Sequence, residues 1–404
     1  MPTSMDDILT PPWDQPIPPR WIEPHLTVID DISALTVLPV LHDNFNPQIK
    51  PAHPDRLCII SQIDRENALP DRLRNDDLLQ TFAQELNIRF IRNSTPCDSG
   101  SPLPDDMIQP NQIIASTTPP TALGALGGLG ISVNARDLTH ALQTGKIWYR
   151  RPPVQAFHIH GTPKPTVTLH DIAIALRPVI HQQSLLLFTI TDEHDKPIDT
   201  LASPLTALLT DSPAAWVSYQ SSIPGEITTT QVHLDQYQPM IGIGNDSALP
   251  LSKISPTPID RAYIGSCSTG SVDDLRLAAQ VLTNHQVAVQ TVIAPSSIKD
   301  AELLETALLN PDDPSSPTLA KIFHDSGCDI GLPGCNTCVN AIADLLNTSD
   351  HSTKDQYAEN MNSSNLTVIA TAVGSVTARS VAQIFTASPA TAAQAAVRGV
   401  LTSS

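Results

Sequence analysis

Apolar positions along the chain fall into two alternating spacings. Leu57 to Ile63 is a near-continuous apolar run of strand length, and Ile88 to Ile91 is another. Between them Leu78, Leu79, Phe82 and Leu86 recur at helical spacing. The pattern returns further on: Ile113-Ile114 opens a strand, Ala135 to Leu142 has helical spacing, and Gln155 to His160 alternates as a strand. Thr168 stands three residues before Asp171, the spacing of a capping box, so a helix is expected to start there and run to Leu176. From about 178 to 255 strands dominate, at Ser184 to Ile190, Ala215 to Tyr219 and Thr228 to Leu234. The last third is the most regular. It predicts strands at Ala262 to Gly265, Val287 to Ala294 and Val368 to Val373. Helices are expected at Val272 to Leu282, Asp300 to Leu309, Leu319 to Ser326 and Pro389 to Val397. Ile32 to Leu41 is apolar enough for a strand or a short helix. Strands alternating with helices predict α/β layers with parallel strands.

Composition narrows the function. With 404 residues, 41% of them apolar, the chain can build two or three domains with sizeable cores. A net charge of −18 argues against a nucleic-acid partner, which needs clustered Lys and Arg to displace phosphate counterions. No apolar run approaches the roughly 18 residues of a membrane span. Met1 to Pro19 carries Asp6, Asp7 and Asp14 with no basic or apolar leader, so a cytoplasmic protein is expected. Only 17 glycines against 37 prolines mean that few backbone positions reach positive φ cheaply. The six cysteines do not form a disulfide scaffold. Cys58 and Cys97 are isolated and read as incidental thiols. The other four lie in the last third.

Those four carry the chemistry. Cys267 follows a strand on a Gly-flanked turn (Tyr263-Ile264-Gly265-Ser266-Cys267-Ser268-Thr269-Gly270) and precedes a helix, where α/β proteins place ligands. Cys335 and Cys338, in Gly331-Leu332-Pro333-Gly334-Cys335-Asn336-Thr337-Cys338, are spaced to reach one metal centre. Spacing alone leaves iron–sulfur, zinc and no metal open, and Cys328 could complete a four-thiol zinc site. His158 and His160 share one strand face, but a lone pair of histidines rarely completes a ligand set. Gly124, Gly127, Gly128 and Gly130 are in the wrong order for a dinucleotide fingerprint, and close helix packing explains them better. Asp192-Glu193-His194-Asp195 reads as a solvated turn.

The cysteine stretches resemble the aconitase and 3-isopropylmalate dehydratase family. Cys267 matches its GSCTNxxxxDL motif, and Cys335 and Cys338 match its PGCxxC motif. Asp274-Leu275-Arg276 and Ala387-Ser388-Pro389-Ala390 match the flanks. Weaker similarity extends through Gly145-Lys146-Ile147-Trp148 and Val167 to Ile172, a stretch that would make the strand of His158 and His160 structural. The resemblance implies aconitase-like three-layer α/β/α domains over residues 1–165, 166–255 (a reduced one) and 256–404, around an iron–sulfur site. It makes Cys267, Cys335 and Cys338 the ligands of a [4Fe-4S] cluster whose fourth iron is open to substrate. Asp64, Ser266, Thr269 and Arg379 become substrate contacts. The implied reaction is dehydration and rehydration of a 2-alkylmalate-type hydroxy acid, in a specialised amino-acid or secondary-metabolite pathway. The swivelling fourth domain is not expected within this chain, and in the family it also occurs as a separate small subunit.

The departures fall on polar residues. Ala115-Ser116-Thr117-Thr118-Pro119-Pro120 stands where the family has Asp-Ser-His-Thr, and Asp64-Arg65 where it has Asp-His. The Asn of GSCTN is Thr269. Of the Ser-Asn-Arg-Asn-Phe-x-Gly-Arg segment only the last arginine remains, as Arg379. A catalytically degenerate partner or regulator with the same fold is therefore the rival expectation. A zinc-stabilised or metal-free scaffold is the third.

Overall fold

The structure is a computed structural model. It describes residues 2–5, 7–9, 13, 18–30, 51–61, 70–92, 111–116, 128–180, 184–196, 214–218, 227–244, 247–266, 269–331, 333, 366–371 and 382–403. The chain divides into two compact units, residues 1–162 with 180–233, and residues 163–179 with 234–404. This division differs from the three consecutive blocks expected from sequence. The strands of 180–233 complete the sheet of the first unit, and 163–179 packs within the second. Among the described residues no helix is long and apolar enough to cross a membrane.

The first unit holds strands β1 (Arg20–Ile22), β2 (Leu26–Asp30), β3 (Leu57–Ser61), β4 (Arg89–Arg92), β5 (Ile113–Ser116) and β6 (Leu129–Ser132). It continues with β7 (Ile147–Tyr149), β8 (Val154–His160), β9 (Leu185–Thr191), β10 (Ala214–Ser218) and β11 (Thr229–His233). Its helices are α1 (Pro70–Leu86) and α2 (Ala135–Thr144). Nine strands form one sheet in the order β11-β8-β9-β10-β6-β5-β2-β3-β4. It is two parallel blocks, β11 to β10 and β6 to β4, joined by one antiparallel contact between β10 and β6. Every residue of β3, β5 and β9 is buried, as strands covered on both faces must be. Leu57 and Ile59 pack with Leu79 and Ala83 of α1 and Leu138 and Leu142 of α2, while Cys58 and Ile60 turn to the opposite face. Burial pushes the Cys58 thiol up to about 12, as expected of an inert buried thiol. Gly130 lies inside β6, paired with Ile114 and Ala215, whereas Gly124 and Gly127 lie outside the described residues.

The second unit opens with α3 (Leu169–Leu176). It then runs β12 (Met240–Ile243), β13 (Ser247–Pro250), β14 (Thr257–Pro258), β15 (Arg261–Gly265), α4 (Val272–Leu282), β16 (Gln290–Ala294), α5 (Ile298–Leu304), α6 (Leu319–Asp325), β17 (Asp329–Ile330), β18 (Leu366–Ala370), β19 (Ala382–Thr386), α7 (Pro389–Arg398) and β20 (Val400–Leu401). Its seven-stranded sheet has the order β13-β12-β19-β18-β15-β16-β17. The five strands from β19 to β17 are parallel; β12 pairs antiparallel with β19, and β13 closes the edge antiparallel to β12. Ala262 and Ile264 face a core shared with Leu275, Ala278 and Ala279 of α4 and Ala392, Ala393 and Ala396 of α7. The alanines let both helices approach the sheet closely. Ser388 caps α7, Pro389 starts it, and Gly399 ends it at φ 67°, where a left-handed residue is needed. The α/β expectation thus holds in both units.

The Thr168–Asp171 capping box ties α3 to β12. One Asp171 carboxylate oxygen accepts from the Thr168 N–H (2.8 Å) and hydroxyl (3.0 Å), and the other accepts from the Met240 N–H (2.8 Å). Asp171 is fully buried, so no water replaces it. Asp171→Ala removes a cap and orphans a buried donor, and it is expected to cost about 2–4 kcal/mol in chemical denaturation. A loss under about 1 kcal/mol would show that these donors find other partners.

Candidate functional site

In the parallel block of the second unit the chain runs outward from β15 through β16 to β17. It then returns to the other side of β15 as β18 and continues to β19. The strand order therefore reverses between β15 and β18, and the crevice beyond the carboxyl ends of these strands is the position where open α/β sheets bind ligands. Two described residues beside it were expected to contact substrate, Ser266 and Thr269. Both follow β15.

The turn after β15 is built by close backbone approach. Gly265 has φ 101°, and a Cβ there would lie 2.1 Å from the Ala294 carbonyl oxygen at the end of β16. A Cβ on Gly270 would lie 2.2 Å from the same oxygen and 2.8 Å from both the Ser266 oxygen and the Ser296 nitrogen. Only glycine fits at either place. The Gly270 carbonyl accepts from the Ser296 N–H (2.8 Å), and the Thr269 N–H donates to the Ser266 carbonyl (3.3 Å).

A chain of buried hydroxyls crosses the switch point. Ser266 Oγ lies 3.0 Å from Thr269 Oγ1, which lies 2.9 Å from Thr371 Oγ1. Thr371 Oγ1 also accepts the Gly265 N–H (2.8 Å), and the Thr371 N–H donates to the Tyr263 carbonyl (3.1 Å). All three hydroxyl residues are essentially inaccessible. Ser266, Thr269 and Thr371 thus link the turn after β15 to the end of β18. Thr371 was read from sequence only as part of a strand, and its role needs the β15–β18 pairing to be seen.

Helix α4 leaves this turn with Ser271 as its cap, the Ser271 Oγ accepting from the Asp274 N–H (3.2 Å) and donating to the Asp274 carboxylate (2.8 Å). Asp300 at the start of α5 accepts from the Val272 N–H (3.3 Å) and from the Ser296 and Ser297 hydroxyls. His170 of α3 places Nε2 3.5 Å from Asp274 Oδ1, an ion-pair distance without hydrogen-bond geometry, both side chains being buried.

Cys267, Cys335, Cys338, Asp64 and Arg379 lie outside the described residues, as do Cys97 and the Ile32 to Leu41 stretch. The strands that lead to the cysteines are described. β15 precedes Cys267, and β17 precedes Cys335 and Cys338, with the Gly331 N–H still donating to the Ile293 carbonyl (2.8 Å) past its end. Both are parallel to β16 and flank it, so both chain segments leave the sheet at the same edge, about 10 Å apart. Cys328 differs. It lies before β17, its N–H donates to the Phe323 carbonyl (2.9 Å), and its side chain belongs to the apolar core with Phe323 and Leu282. Burial, with Asp329 beside it, pushes its thiol up to about 12. A four-thiol zinc site that includes Cys328 is therefore not what the fold offers, because the thiol is already spent in packing.

A Gly-clamped turn at the switch point of a parallel sheet, with cysteines following two of its strands in sequence, defines the second unit as an open α/β domain. Residues 204–399 match the sequence model of the Aconitase family (aconitate hydratase). The 3-isopropylmalate dehydratase large subunit of Thermococcus kodakarensis is 24% identical over 301 residues, covering 72% of this chain and 71% of that protein. The corresponding large subunit of Pyrococcus horikoshii is 26% identical, covering 70% and 69%. Among solved structures, holo aconitase X of Thermococcus kodakaraensis aligns with a TM-score of 0.48 at 12% identity, over 89% of this chain and 85% of that one. Residues 204–399 thus carry the likeness to the Aconitase family, and the chain is similar at 24–26% identity to these 3-isopropylmalate dehydratase large subunits.

Gly270→Ala is expected to cost about 3 kcal/mol or more, since three backbone atoms would have to move. Thr371→Val orphans the buried Gly265 N–H and should cost about 1–3 kcal/mol, while Thr371→Ser stays close to wild type. Denaturant unfolding of the three variants checks both, and equal losses for Val and Ser would show that the hydroxyl is not the operative group. Cys328 is expected to resist alkylation in the folded protein and to react on unfolding, as read by mass spectrometry of the labelled peptide.

Proposed function

We propose that the protein is a [4Fe-4S]-dependent hydro-lyase of the isopropylmalate dehydratase type. It would act on 2-alkylmalate-type hydroxy acids together with a separate small subunit. The observation that carries this reading is the shared edge: the strands before Cys267 and before Cys335 and Cys338 flank β16 and end at the same edge of one parallel sheet, the first of them at its switch point. The donor chemistry fits the group. Three thiols suit an iron–sulfur cluster, and the described side chains beside Cys267 in the turn after β15 are uncharged hydroxyls, which offer no competing thiol or carboxylate ligand.

Cys267, Cys335 and Cys338 would hold the cluster, which when bound supplies an open iron as a Lewis acid for a leaving hydroxyl. Ser266, Thr269 and Thr371 would fix the turn that carries Cys267, keeping its backbone from adjusting during the reaction. Arg379 would pair with a substrate carboxylate through its two-pronged guanidinium. Asp64 would face the same substrate as the remaining acid. One arginine in place of the family's two fits a substrate with less charge and a bulkier side chain than a tricarboxylate, as in a specialised amino-acid or secondary-metabolite pathway. The relatives named above are large subunits, which favours a small subunit as the partner.

A non-catalytic partner or regulator is the second reading. It is favoured by Ala115 and Ser116, fully buried at the end of β5, where the resembled pattern begins its acid- and histidine-bearing loop.

Anaerobic purification, metal and sulfide quantification, and assay on a 2-alkylmalate series with a small subunit supplied test both. Iron and sulfide in cubane proportion with turnover, both lost in Cys267→Ser, is the expected result. Cluster without turnover on any substrate would select the second reading. Zinc that depends on Cys335, in place of iron, would overturn the cluster itself.

A further inference from the structure

The first unit carries a second group of metal-ligating side chains, on a different sheet from the cysteines. His158 and His160 alternate with the fully buried Phe157 and Ile159, so both imidazoles stand on one half-buried face near the carboxyl end of β8. The neighbouring strand β9 ends at Thr191, paired with His160. His158 Nε2 lies 3.0 Å and His160 Nδ1 lies 3.2 Å from the single Thr191 hydroxyl. The chain then folds back. Asp192 accepts the N–H groups of His194 (2.8 Å) and Lys196 (2.9 Å), and Asp195 takes φ 59°, a left-handed turn position. That turn brings Asp195 Oδ1 to 3.4 Å from His160 Nδ1. On the other side β11 sets His233 opposite His160, with ring centroids 6.0 Å apart.

We propose that His158, His160 and Asp195 form a binding site for a divalent transition-metal ion, with zinc the best fit. One ligand atom from each lies within 4.8 Å of the other two. Tetrahedral zinc with bonds of about 2.0–2.2 Å holds its donors about 3.4 Å apart, so closure needs only small side-chain rotations. Two imidazoles and one carboxylate are the nitrogen and oxygen donors that zinc and its neighbours prefer over calcium or magnesium. The set leaves one position of the tetrahedron to water. Asp195 is mostly exposed and the imidazoles half-buried, so an ion reaches the site from solvent. Thr191, in contact with both ring nitrogens, holds the two imidazoles towards a common point, and the locked turn does the same for Asp195. The geometry owes nothing to the cysteines or to the hydro-lyase reading.

Cobalt(II) and zinc(II) titrations of the metal-free full-length chain test the site, because cobalt distinguishes nitrogen and oxygen ligation from thiolate ligation by the intense charge-transfer absorption of the latter. The expected result is one ion bound with weak d–d bands and no thiolate band, retained in Cys335→Ser. His160→Ala and Asp195→Asn should each weaken it by more than about tenfold, since even an outer-shell partner is worth 10–100-fold. Asp195→Asn keeps the turn, as Asn adopts the left-handed region readily, so loss of binding there is not loss of fold. Zinc should raise the melting temperature of the wild type and of neither variant. Cobalt absorption of thiolate type alone, loss of the signal in Cys335→Ser, or undiminished affinity in both His160→Ala and Asp195→Asn would overturn the proposal.

Discussion

The carbonyl oxygen of Ala294 is the fixed point of the second unit. Two glycines, Gly265 and Gly270, close around it from the neighbouring strand, each so near that a methyl group in place of the hydrogen would overlap it. Because β15 and β16 are held by parallel hydrogen bonds, neither strand can shift to make room without breaking the ladder. The approach sets the path of the turn, and the turn sets the start of α4 through Ser271. Helix α4 in turn packs against α7 and β15 to close the core. In a chain so poor in glycine, two such residues at one turn mark it as a place where the backbone path is rigidly set.

Both units collect their polar side chains at the same kind of place. Inside the buried parallel strands the polar side chains are few, such as Thr189 and Thr291, and the larger polar groups of interest stand near the strand ends. In the second unit these are the hydroxyls beyond β15 and β18. In the first they are the imidazoles, hydroxyl and carboxylate at the ends of β8, β9 and β11. Hydroxyls that satisfy one another make a rigid framework. Imidazoles converging on one hydroxyl keep lone pairs that a cation can use.

The sequence made the long, strongly patterned elements readable. Helix α4 has the bounds that its spacing predicts, the Thr168–Asp171 box starts α3 where expected, and β8, β9 and β11 fall within a residue or so of their apolar runs. Helix α1 begins at Pro70, eight residues before Leu78, the first apolar position of its pattern, because proline is tolerated at a helix start. Short strands such as β1, β7, β13 and β17 escaped, since two to four residues show no period, and β12 and β19 gave too little contrast with their neighbours. At the cysteines, local spacing left the metal open and only family resemblance chose between the options. Thr371 could not be linked to Gly265, because nothing local reports a contact 106 residues away. The histidine pair was visible, whereas Asp195 looked like part of a solvated turn. Its carboxylate acquires a second meaning only when β9 lies beside β8 and the turn folds back.

That long-range contact has a consequence for how the protein is made. The Gly265 amide waits for an acceptor that the ribosome delivers 106 residues later. At translation rates of about 5–20 residues per second this is a delay of roughly 5–20 s, far longer than a local turn or helix needs to form. During synthesis β15 therefore emerges with one of its pairing edges vacant until β18 arrives to fill it.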